Sequence, residues 1–175
     1  HNIPVTRGTI MAAFGCNFET DIPLQRILDQ TEQIMDVTRE YNLKLEVLNL
    51  SDTMGWATPG AIRNVCGAIR NKYPDLELSL HLHDTRGMGI ANAYAGMELG
   101  VAQFDTSIAG LGGCPYAKGA TGNVATEDVI YLLHGLGIWT GIDLDALIDA
   151  GHFIRGALGQ GTGSRVARAL AAQRG

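Results

Sequence analysis

Between Val5 and Leu136 an apolar, β-branched segment gives way four times to a loop and then to a segment of helical spacing. That repeat constrains the fold more than any other feature of the chain. The predicted strands are residues 5–13, 45–50, 76–83 and 102–108. The first helix opens at Leu24, where Leu24, Ile27, Leu28, Ile34, Met35 and Thr38 recur on one face. The second starts at Thr58 and Pro59, an N-cap residue followed by a proline fit for the first helical position. The third covers residues 90–99 and ends at Gly100. The fourth starts at Thr126, with Glu127 and Asp128 where the helix dipole favours acids. Near-continuous apolar strands alternating with helices call for a parallel sheet covered by helices, an α/β fold. Asp143 then caps a helix over 144–158, and after a glycine-rich break at 159–163 a last helix starts near Ser164. The chain reads as a single domain, with βα units over residues 1–140 and a C-terminal helical extension over 141–175.

Several function classes drop out at this level. A net charge of −5 with no Lys/Arg-rich run gives nothing to neutralise phosphates, so no nucleic-acid partner is expected. No apolar run reaches the length of a membrane span, so no membrane partner is expected either. Cys16, Cys66 and Cys114 are an odd number at unrelated spacings, which points to a reducing compartment such as the cytoplasm.

The polar residues gather where the predicted strands end, the place where α/β sheets and barrels build their sites. In His81-Leu82-His83-Asp84-Thr85, residues two apart on a strand share a face about 7 Å apart. The two imidazoles therefore either share one cation or sit as two separately satisfied buried histidines. Cys114 lies in a loop, residues 109–123, too rich in glycine to be built around one buried thiol, so it is either an acid, base or nucleophile or an incidental loop cysteine. Cys66 falls within a helical apolar pattern and Cys16 has no histidine near it in sequence. Asp52 ends its strand in an Asp-Thr-x-Gly sequence that suits an Asx turn or cap as well as a site carboxylate. His134 and His152 fall on helices as surface or capping residues.

Two long runs carry a resemblance. HLHDTRGMGIAN, from His81 to Asn92, and AGLGGCPYAKGATGNVATED, from Ala109 to Asp128, resemble the hydroxymethylglutaryl-CoA lyases. So do FGCNFE from Phe14, LSDTMGWATPG from Leu50 and HGLGI from His134, so that nearly the whole chain is covered. The resemblance implies a (β/α)8 TIM barrel, of which this chain forms roughly the last four βα units. It implies a divalent cation, Mg²⁺ or Mn²⁺, bound by His81, His83 and Asn123. It implies Cys114 as the catalytic thiol, with His81 and Asp52 also at the reacting site and Glu127 behind it, orienting the Asn123 loop. The substrate would be an acyl-CoA, 3-hydroxy-3-methylglutaryl-CoA, cleaved to acetyl-CoA and acetoacetate. The compartment would be the cytoplasm, or the mitochondrial matrix in a eukaryote, and the assembly a homo-oligomer such as a dimer. The family's opening Arg-Asp pair and the acidic residue of its second strand have no counterpart here. That leaves three readings open: the lyase, completed by a first half on another stretch of protein; another carbon–carbon lyase or synthase of the superfamily; or a non-catalytic half barrel whose sheet edges are covered by self-association.

Overall fold

Leu48 and Leu50 on one strand and Leu78, Leu80 and Leu82 on the next alternate with polar residues, and this alternation sets the layers of the molecule. In the computed structural model, which describes residues 4–113 and 121–174, β1 (Arg7–Ile10), β2 (Val47–Asp52), β3 (Glu77–Leu82) and β4 (Gln103–Asp105) form one parallel sheet in chain order. Parallel neighbours need a crossover between them. Helices α1 (Leu24–Glu40), α2 (Pro59–Lys72) and α3 (Gly89–Glu98) supply the three, and α4 (Thr126–Gly135), α5 (Leu144–Ala157) and α6 (Arg165–Arg174) follow β4. The leucine face is covered by Ile27 of α1, by Ile62, Val65, Cys66 and Ile69 of α2, and by Ala93 of α3, all buried in one core. Each leucine so buried contributes about 1.5–3 kcal/mol. The helix α3 comes closest because its face is small: a methyl group on Gly96 would stand 2.6 Å from Leu80 Cδ1.

Local signals place the helices as expected. Thr58 Oγ1 accepts from the Ala61 N–H at 3.3 Å ahead of Pro59. Asp143 Oδ1 accepts from Asp145 and Ala146. Gly100, at φ 76°, lies just past α3, whose end is closed by Gly100 N–H to Met97 O and Val101 N–H to Gly96 O.

Three expectations need correction. The strands are not near-continuously apolar: their second face carries Arg7, Asn49, Ser51, Ser79, His81 and Asp105, which the parallel register brings side by side. The first strand is Arg7–Ile10 rather than residues 5–13, because the chain turns at Ala12, whose N–H donates to Thr53 Oγ1 at 2.9 Å and whose φ is 53°. The fourth is Gln103–Asp105 rather than 102–108, because Ser107 leaves the sheet to bridge Ala125 and Ile108–Gly110 winds into a 3-10 turn. Among the described residues, no helix is long and apolar enough to cross a membrane.

Candidate metal-binding site

His81 is the fifth residue of β3 and His83 follows the strand's last residue, so the pleat turns both rings to the polar face. Their Nε2 atoms stand 3.3 Å apart, with ring centroids at 5.3 Å. Two nitrogens bonded at about 2.1 Å to one ion in adjacent positions would stand about 3.0–3.4 Å apart, so the pair is already spaced for a shared cation. His83 is buried, and its Nδ1 has no partner in hydrogen-bonding geometry among the described residues. Burial first, and the neighbouring His81 second, hold its pKa below the ordinary histidine value, with the Thr121 backbone biasing it the other way. A neutral imidazole is the form that binds a metal.

His81 is oriented from behind. Its Nδ1 lies 3.5 Å from Asp105 Oδ2, the position in which a carboxylate fixes the tautomer of a metal-binding histidine. Asp105 is held in turn by Arg7 Nη2, 3.0 Å from both carboxylate oxygens, and by Asn49 Nδ2 at 3.1 Å. Ser79 Oγ accepts from Arg7 at 2.9 Å and from Asn49 at 2.8 Å, and Ser51 Oγ donates to Asn49 Oδ1 at 3.0 Å. Sequence reading missed Asp105, Asn49 and Arg7 as parts of the site. The signal was present as polar residues at alternate strand positions.

Asn123 faces His83 across a single β-bridge, flanked by Val124 N–H to Leu82 O at 2.9 Å and Asp84 N–H to Gly122 O at 3.3 Å. Its Nδ2 donates to Leu111 O at 3.1 Å, and its Oδ1 is buried with no hydrogen-bond partner among the described residues. Two imidazole nitrogens at this spacing, with an amide oxygen carried by the residue bridged to His83, fit a divalent cation whose remaining positions stay open. Among the described residues, no group of three His, Cys, Asp or Glu side chains is placed to hold a metal, and the donors they offer here are imidazole nitrogens and an amide oxygen. Glu127, fully buried, accepts the Ala109 N–H with both oxygens, at 2.8 and 3.0 Å. It grips the chain at the start of the glycine-rich loop, while Asn123 stands at its end. Burial raises the Glu127 pKa, with the donated N–H groups opposing.

Asp52 is fully buried at the end of β2 and pairs in register with Leu82, on the helix-covered side. Its Oδ1 accepts from Trp56 N–H at 2.7 Å and Ala57 N–H at 3.1 Å, while Oδ2 has no partner among the described residues. Burial pushes its carboxyl up to about 6 against those N–H bonds. The structure gives it no hydrogen bond to either imidazole; it shapes the loop after β2. That loop is tied to its neighbours by Trp56 Nε1 to Asn17 Oδ1 at 2.9 Å and by Arg86, which donates to Met54 O and Gly55 O and lies 5.0 Å over the Trp56 ring. Cys114 lies outside the described residues. Cys16 and Cys66 are both buried, and burial pushes the Cys66 thiol up to about 12. His134 lies in the last turn of α4 with Nε2 3.1 Å from Thr140 Oγ1, and His152 is exposed on α5.

A family model described as HMGL-like matches residues 4–154. A Pseudomonas aeruginosa protein named 3-hydroxy-3-isohexenylglutaryl-CoA/hydroxy-methylglutaryl-CoA lyase is 47% identical over 99% of this chain and 55% of its own length. The human mitochondrial hydroxymethylglutaryl-CoA lyase is 42% identical over 96% of this chain and 50% of its own. The chain thus spans about half the length of the curated relatives it matches. Among solved structures, hydroxymethylglutaryl-CoA lyase from Pseudomonas aeruginosa superposes with a TM-score of 0.85 at 45% identity, covering 95% of this chain and 54% of that one. The enzyme from Acinetobacter baumannii, solved with coenzyme A and 3-methylmalate, gives 0.83 at 36% identity over 93% of this chain and 52% of that one. The four parallel βα units and these matches agree, and the chain belongs to the HMGL-like family of TIM-barrel proteins.

Proposed function

We propose that these strands are the later four of an eight-stranded barrel, and that the whole barrel cleaves 3-hydroxy-3-methylglutaryl-CoA to acetyl-CoA and acetoacetate with a divalent cation held by His81, His83 and Asn123. The observation that carries this reading is the pair of imidazole nitrogens 3.3 Å apart at the C-terminal end of the sheet, with Asn123 bridged to His83 and its side-chain oxygen unpartnered among the described residues. In the reaction the tertiary hydroxyl loses its proton, the bond between the second and third glutaryl carbons breaks, and the thioester enolate takes up a proton to become acetyl-CoA. A cation at this position would polarise the substrate oxygens and acidify the hydroxyl. The choice of Mg²⁺ or Mn²⁺ rests on the family resemblance. His81 and His83 present ring nitrogens from the sheet, Asp105 orients the His81 ring, and Asn123 supplies an oxygen from the loop. Cys114 is assigned the proton transfer at the reacting carbons, with Asp52, at the end of β2, lining the same site. The isohexenyl substrate in the name of the 47% identical relative supports a second reading, in which the acyl branch is longer.

The test uses the whole-barrel protein, with Mn²⁺ titration followed by electron paramagnetic resonance and acetyl-CoA release from both thioesters. His81→Ala abolishes turnover and weakens Mn²⁺ binding. Asn123→Ala, which removes a neutral donor that water can replace, is milder and is partly rescued by high Mn²⁺. Equal and unrescued losses in the two variants would refute the ligand assignment, and faster release from the isohexenyl thioester would favour the second substrate.

A further inference from the structure

The turn that opens the glycine-rich loop is held at once from two helices and the segment that follows the second. Glu127 of α4 takes the Ala109 N–H. Arg155 of α5 donates from Nη2 to the Ala109 carbonyl at 2.8 Å and the Gly110 carbonyl at 3.1 Å. The Gly163 N–H, between α5 and α6, donates to the Ala109 carbonyl at 2.9 Å. Ala109 sits at φ 52°, a left-handed conformation that an alanine does not hold without support. Helix α5 is shaped for this grip on one face: a methyl group on Gly151 would meet Glu127 Oε1 at 2.7 Å, and Arg155 stands one turn further along.

The grip reaches the cation site through backbone contact. The Gly110 carbonyl that Arg155 holds lies against Gly122, where an added Cβ would stand only 2.0 Å from that oxygen. The next carbonyl, Leu111 O, receives both the Asn123 N–H at 3.3 Å and the Asn123 Nδ2–H at 3.1 Å. Moving Gly110 and Leu111 therefore moves the acceptor that aims the Asn123 side chain, and with it the buried Oδ1. We propose that Arg155 is a positioning residue for the cation site: by pinning the Ala109 and Gly110 carbonyls it sets where Asn123 presents its side-chain oxygen. This rests on the reading of Asn123 as a ligand. The planar guanidinium suits the task, since one nitrogen spans two successive carbonyls while Nη1 is steadied by Gln160 Oε1 at 2.7 Å. A lysine offers a point charge without that fixed geometry.

The experiment compares Arg155→Met, Arg155→Lys, Asn123→Ala and the Asn123→Ala/Arg155→Met double variant of the whole-barrel protein, reading Mn²⁺ affinity by electron paramagnetic resonance beside thermal midpoints. Arg155→Met weakens Mn²⁺ binding about tenfold, the lower end of what outer-shell changes cost. Arg155→Lys recovers part of that loss. In the Asn123→Ala background the second change adds nothing, because the oxygen that Arg155 positions is already gone. If Asn123→Ala weakens binding while Arg155→Met lowers only the midpoint, or if the two losses add in full, Arg155 is a structural clamp and the proposal falls alone. If Asn123→Ala leaves affinity unchanged, the ligand reading fails and takes this proposal with it.

Discussion

Leu80 and His81 are consecutive residues of β3 on opposite faces of one sheet. Leu80 is fully buried beneath Gly96 of α3, whereas the His81 side chain keeps 31% of its surface exposed beside Asp105. The leucine face holds the fold together by area, in a core to which every covering helix adds. The histidine face is a chain of polar contacts from Arg7 through Asp105 to His81, with Asn49 and Ser79 between. Such contacts exchange solvent hydrogen bonds for internal ones and return little net stability, but they fix the direction of one imidazole. Stability and site geometry are thus carried by separate faces. The two should respond separately to substitution.

The largest effect on stability belongs to the apolar face. Leu80→Ala leaves a cavity under α3 and costs about 2–5 kcal/mol, measured by urea unfolding of the whole-barrel protein. The folded fraction should bind Mn²⁺ with unchanged affinity. A loss of affinity as large as the loss of stability would show that the two faces are coupled.

Sequence spacing was enough to read what depends on near neighbours. Thr58 and Pro59, Asp143, Gly100 and the shared face of His81 and His83 all follow from residues one to five apart, where local geometry decides. The polar network was not legible in that way. Arg7 and Asp105 are 98 positions apart, and only the register of four strands sets them together. Treating the strands as continuous apolar runs hid the alternation that would have flagged Asn49, Ser51, Ser79 and Asp105. Asp52 was ambiguous for a different reason. A carboxylate at the end of a strand can cap the following turn with the same residues that would line a site; here Asp52 accepts from Trp56 and Ala57 in register with Leu82 and also interacts electrostatically with His81.

Asp52 gives the next effect, a charge on the buried face. Its folded pKa of about 6 lies above the ordinary value of 3.8, so the folded state binds this proton more tightly than the unfolded chain does. Ionising it therefore costs stability, fully above pH 6 and not at all below about pH 4. Asp52→Asn keeps the Oδ1 that accepts from Trp56 and Ala57 but carries no charge. It should stabilise the protein at pH 8 by up to about 3 kcal/mol, and by roughly half as much at pH 5. Urea midpoints at the two pH values check it. A gain that does not change with pH would mean that Asp52 is not the group ionising in this range.

The smallest effect on stability, and the sharpest test of the division between faces, is Asp105→Asn. The ion pair it breaks with Arg7 joins side chains 42% and 41% exposed, a setting in which solvent screening leaves about 0–1 kcal/mol. Asparagine still offers an oxygen to Arg7 and Asn49, so the strands have no reason to part. What it removes is the negative charge 3.5 Å from His81 Nδ1, and with it the partner that holds the ring with Nε2 turned to His83. The expected outcome is a 10- to 100-fold fall in Mn²⁺ affinity or kcat/KM with a thermal midpoint close to that of the parent. Restoring a carboxylate one methylene longer, by Asp105→Glu, should recover only part of the loss, because position as well as charge orients the ring. If Asp105→Asn instead lowers the midpoint and leaves Mn²⁺ affinity intact, the polar face serves the fold after all, and His81 is oriented by something other than Asp105.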